Sequence, residues 1–134
     1  MLTAKVEYLG QLSTKLTHYR SGDEVITDAP IDNNGKGGAF SPTDLVSTAL
    51  CSCMMTLMGM YAERVGIDLK PMAANVTKHM TSNPRKIAAI EIDFDMSGVV
   101  ATKDQRIKLE RAALTCPVAL SLSPELEQKV SFNY

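Results

Sequence analysis

The chain has no tryptophan, three cysteines and two histidines, and aromatic residues fill 5% of its 134 positions. No basic run interleaved with aromatics appears. The net charge of −1, with a pI near 6.1, supplies no general pull toward nucleic acid or an anionic membrane surface. With His18 and His79 as the only imidazoles, a zinc or iron site is poorly supported, and no metal is expected. Three cysteines cannot all pair within one chain, and the opening "MLTAKVEYLGQL" mixes charge and polarity, unlike a signal sequence. Both features fit a reducing cytoplasm, where thiols serve packing or reactivity. The apolar run from Leu45 to Ala62 is broken by Ser47, Thr48, Ser52 and Thr56. It is too short and too polar for a membrane span and reads as a buried core helix.

What is present is ordinary for a globular protein: 45% hydrophobic and 22% charged residues. The length suits one domain over residues 1–134. Residues 3–9, 12–19 and 23–27 read as strands, separated by Gly10 and by Ser21-Gly22. The stretch "DAPIDNNGKGGAF" has no periodicity and reads as a flexible loop. It lacks the Walker spacing and the Lys-Ser/Thr ending of a phosphate loop.

A long helix follows. Ser41 is placed as N-cap, Pro42 at the first helical position and Asp44 where a capping box wants an acid. The run continues to Val65 and stops at Gly66. This helix is apolar around most of its circumference, so it must be covered on nearly every side. A chain of this size has little material for that, which implies a partner subunit. Residues 72–81 and 86–97 read as two strands. In the second, Ile90, Ile92, Phe94 and Met96 alternate with Glu91, Asp93 and Asp95. Thr102 and Gln105 form a capping box that opens a helix to about Leu114. "CPVALSL" and "SPELEQ" read as short helical turns, and "KVSFNY" as a closing strand. The order implies an α+β fold with a mostly antiparallel sheet and a long central helix.

Cys51 and Cys53 lie two positions apart in "STALCSCMMTLMGM". On a helix such residues point about 200° apart, so they cannot share a metal ion or bond to each other. Cys51 reads as a small buried hydrophobe. Cys53 sits mid-helix, far from the positive end of the helix dipole, and would need a cation beside it to react as a thiolate. Cys116 differs: it precedes Pro117 at the start of a short helical turn, where backbone N–H groups stabilise a thiolate or accommodate a disulfide. Spacing is compatible with a Cys53–Cys116 dithiol couple but does not show that the two meet. The methionines at 54, 55, 58 and 60 read first as core.

"FSPTDLVSTALCSCMMTLMGMYAERVGIDL" resembles the central helix of the OsmC/Ohr family, the osmotically inducible and organic hydroperoxide resistance proteins. "LERAALTCPVALSLSPELE" resembles that family's second-cysteine segment, and the likeness extends over nearly the whole chain. The resemblance implies an intertwined homodimer whose central helices pack together, with sites at the subunit interface. It also implies a thiol peroxidase acting on organic hydroperoxides, with Cys53 peroxidatic, Cys116 resolving and no bound cofactor. An external dithiol would complete the cycle. "HYRSGDEV" places Arg20 where the family arginine holds the thiolate, and Cys51 has no counterpart in the pattern. One departure stands out. Peroxidase members carry glutamate after the proline that opens the central helix, where this chain has Thr43 followed by Asp44. The Asp44 side chain is shorter, and the cap competes for it. Position 43 also lies about 15 Å along the helix from Cys53. The alternative implied by Thr43 is a family member without peroxidase activity that binds an apolar small molecule at the dimer interface.

Overall fold

The computed structural model describes all residues, Met1–Tyr134. The architecture is α+β, with two three-stranded sheets in the order β1-β2-β3 and β4-β5-β6. Three strand pairings are antiparallel, and β5 with β6 is parallel. The sequence reading of one mostly antiparallel sheet therefore holds for pairing direction, while the strands divide between two sheets. Chain contacts separate two compact units, Met1–Val46 and Ser47–Tyr134.

The N-terminal unit holds β1 (Ala4–Gly10), β2 (Ser13–His18) and β3 (Glu24–Asp28). Its buried residues are Ser13, Thr27, Asp28 and Ser41, all polar. Val6, Tyr8 and Leu9 are 63%, 68% and 52% exposed, and Val25 and Ile26 are also exposed. The sheet thus has no apolar core of its own. The segment after β3 is a loop, as read from its glycines, and side-chain bonds join it to Asp28 at the strand end. Asp28 accepts from the Ser13 hydroxyl, from Lys36 Nζ at 2.9 Å and from Gly38 N–H at 3.0 Å, while Lys36 Nζ also donates to Ser13 Oγ at 2.8 Å. A side chain at Gly35 would meet the Ala29 carbonyl oxygen at 1.7 Å, so that close backbone approach requires glycine.

Helix α1 runs Pro42–Val65. Its start is the capping box read from the sequence: Asp44 N–H donates to Ser41 Oγ at 3.1 Å, and Ser41 N–H donates to Asp44 Oδ2 at 2.9 Å. Its end is also as expected. Gly66 takes φ +79°, and Ile67 N–H returns to the Ala62 carbonyl at 2.9 Å. Contrary to the reading of its apolar run as too short and too polar, α1 is by length and composition alone able to cross a bilayer. Its Leu50, Met54, Met58 and Ala62 nevertheless lie in the apolar core of the C-terminal unit.

That unit continues with β4 (Ala73–Thr81), β5 (Lys86–Asp95), α2 (Lys103–Leu114), α3 (Pro117–Ser121) and β6 (Glu127–Asn133). "SPELEQ" is a turn leading into β6 rather than a helical turn. The alternation in β5 sends Ile90, Ile92 and Phe94 inward, fully buried, with Met96 buried just beyond the strand end. Phe94 stacks on Phe132 of β6, centroids 5.1 Å apart. Helix α2 opens on the Thr102–Gln105 box and contributes Leu109 and Ala113 to the same core.

Candidate functional site

The two separated cysteine segments converge within the C-terminal unit. Cys53 lies midway along α1, half-buried, and packs on the rim of the core. Cys116 is the N-cap of α3 and is fully buried. Its placement follows from the local sequence. Thr115 ends α2 by returning its hydroxyl to the Arg111 carbonyl at 2.8 Å, and Pro117 then starts a new helical turn. The cap geometry turns the Cys116 side chain back on its own turn, where Sγ accepts from Ala119 N–H at 3.4 Å.

Burial pushes the Cys116 thiol above its ordinary proton affinity. The Ala119 N–H pulls the other way, and the neighbouring Cys53 side chain adds to the rise. The two thiols are therefore immediate neighbours, and both are free. A pair of neighbouring thiols, one reachable and one sheltered, can exchange two electrons with a partner by closing and opening a disulfide.

Cys51 takes the opposite side of the helix, 6% exposed in the core, and burial raises its thiol too. Arg20 sits in the turn after β2, exposed, where its side chain forms no hydrogen bond or ion pair within the chain. Thr43 Oγ1 lies 3.2 Å from Ser41 Oγ, and the Asp44 carboxylate accepts from Ser41 N–H, so both belong to the cap of α1. His18 pairs with Ser21 at 2.7 Å, and His79 with Glu91 at 2.9 Å, each at the surface. No three His, Cys, Asp or Glu side chains converge as metal ligands.

Sequence reasoning missed two features. One is the Asp28–Lys36–Ser13 cluster, whose members gave no motif. The other is a groove of about 630 Å³ between α1 and α2, with Arg64, Lys108 and Arg111 around Leu57, Met60 and Tyr61. Its helical spacing is legible in hindsight: residues 57, 61 and 64 share a face of α1, and 108 and 111 share one of α2.

No curated protein matches the chain. Among solved structures, one from Psychrobacter arcticus is 43% identical over 99% of this chain and 96% of its own, with a TM-score of 0.93. That protein is described provisionally as an osmotic stress induced and detoxification response protein. A Legionella pneumophila organic hydroperoxide resistance protein OsmC is 15% identical over 100% of this chain and 98% of its own, with a TM-score of 0.67. A Vibrio cholerae protein, provisionally described as an organic hydroperoxide resistance protein and holding captopril in one of its active sites, is 17% identical. That match covers 99% of this chain and 92% of its own at a TM-score of 0.69. The last two are likenesses of fold. The family model described as OsmC-like protein matches residues 35–131, which span both cysteine segments, and the chain belongs to the OsmC-like family.

Proposed function

We propose that this protein is a cytoplasmic, homodimeric thiol peroxidase that reduces organic hydroperoxides. The Cys53 thiolate attacks the distal peroxide oxygen of ROOH. The O–O bond breaks, a proton completes the alcohol ROH, and Cys53 becomes a sulfenic acid. The Cys116 sulfur then attacks Cys53, water leaves, and a Cys53–Cys116 disulfide remains. An external dithiol takes up the oxidation as its own disulfide and restores both thiols. Arg20 is assigned to hold the thiolate and orient the peroxide. No bound cofactor enters the cycle.

The observation that carries this reading is the juxtaposition of a half-buried Cys53 with a sheltered Cys116. The apolar residues of the N-terminal sheet favour the homodimer, because Val6, Tyr8, Leu9, Val25 and Ile26 are all left exposed. The test is peroxide consumption with dithiothreitol, comparing cumene hydroperoxide with hydrogen peroxide, alongside sedimentation of the native protein. Turnover of the alkyl peroxide by a dimer, lost in Cys53→Ser and kept in Cys51→Ser, is the expected result. A monomer, or thiols inert to cumene hydroperoxide, overturns it.

A second reading rests on the cap of α1. Thr43 stands where the resemblance calls for glutamate, and Asp44 is engaged by Ser41. This favours a family member that binds an apolar small molecule at a dimer interface without turnover. A dimer that retains an apolar ligand through purification and leaves peroxide untouched would establish it.

A further inference from the structure

The groove between α1 and α2 combines a cationic rim with an apolar floor. Leu57, Met60 and the Tyr61 ring form the floor, and Met60 is left 56% exposed. Arg64 holds its guanidinium 5.9 Å from the Tyr61 ring centroid. From α2 come Lys108 and Arg111, three positions apart on one face. No carboxylate lines the groove. Asp104 reaches Lys108 from along α2, at 2.9 Å, and no acid answers Arg64 or Arg111. Asp104 raises the Lys108 pKa and outweighs the smaller opposing charge of Arg111, so the unanswered cations of the groove are the two arginines.

These observations fix the chemistry of a ligand. A small inorganic anion would satisfy the cations and leave Leu57 and Met60 wet. A neutral hydrocarbon would cover the floor and leave two guanidinium groups unanswered. An anionic head group on an apolar chain meets both demands, and guanidinium favours a planar carboxylate through paired hydrogen bonds. The volume falls within the range of sites that hold small organic molecules.

We propose that the α1–α2 groove is a binding site for an amphipathic carboxylate, with its head group between Arg64 and Arg111 and its chain over Leu57 and Met60. On the same face of α1, Cys53 lies one turn beyond Leu57 and about 16 Å from Arg64. Binding itself requires no thiol chemistry and stands apart from the peroxidase reading.

The test is calorimetric titration of the reduced native protein with dodecanoate below its micelle concentration, with dodecan-1-ol and dodecyltrimethylammonium as controls. Methyl NMR shifts locate the ligand. Dodecanoate should bind at least tenfold tighter than either control, shift the Leu57 and Met60 methyls, and weaken as salt rises. Arg111→Glu, a surface change on α2, should lower the affinity at least tenfold. Equal binding of the acid and the alcohol, indifference to salt, or shifts elsewhere on the protein overturns the proposal. The salt series uses the native chain, so the outcome does not depend on a variant folding. Because turnover is not the readout, an inert peroxidase with a working groove and an active one without it are told apart.

Discussion

The thiol of Cys53, half-buried on α1, lies against that of Cys116, fully buried at the cap of α3. Cys53 is partly exposed, while Cys116 is wholly sheltered from solvent. If oxidation begins at Cys53, then Cys116→Ser should stop the cycle after the first step. Alkyl hydroperoxide added to that variant should leave a sulfenic acid on Cys53, trapped by dimedone and located by mass spectrometry. The native protein should instead yield an intramolecular disulfide. Equal dimedone labelling of native and variant chains would remove Cys116 from the cycle.

Cys51 should behave as packing. It is 6% exposed, and burial disfavours its thiolate. In the native protein it should react with iodoacetamide far more slowly than Cys53 does, as peptide mass mapping would show. Cys51→Ser places a hydroxyl among apolar side chains and should cost about 1–3 kcal/mol of unfolding free energy. Alkylation of Cys51 at the rate of Cys53 would contradict this placement.

The Asp28 cluster predicts an acid-sensitive segment. The Ser13 hydrogen bond, followed by Lys36, lowers the Asp28 pKa below its ordinary 3.8. A carboxylate with a depressed folded pKa adds stability above its unfolded value, and that stability is lost as pH falls through the folded one. Denaturant melts of native protein and Asp28→Asn should therefore differ at pH 7 and converge as pH drops below about 4. A gap that persists unchanged in acid would rule out this source of stability.

Tyr134 predicts the opposite limb. Burial, followed by the Glu110 charge, pushes its pKa from 10.0 up to about 12, against the opposing charge of Arg106, whose guanidinium lies 4.2 Å over the ring. A raised folded pKa means stability that is intact below pH 10 and lost as pH climbs through 12. Ultraviolet titration should show a late-ionising tyrosine, and Tyr134→Phe should remove that step. Retention of the late step in the variant would assign it to another ring.

Local rules were legible in the residues because they act over a few positions. The Ser41–Asp44 and Thr102–Gln105 boxes form as their spacing says, and Gly66 ends α1. The period-two pattern of β5 names the buried face of that strand. The two cysteine segments, by their likeness to a known family, also announced the fold.

Tertiary structure alone decided which of these residues meet. Nothing in the spacing of positions 53 and 116 brings two sulfurs together; the route of the chain through β4, β5 and α2 does that. Nor could sequence show that Asp28 ties down a glycine-rich loop, that six strands divide into two sheets, or that cations from α1 and α2 share one groove. The reason is physical. Helix caps and alternation are set by backbone geometry within one or two turns, whereas a thiol's neighbours depend on which apolar faces of distant elements bury each other.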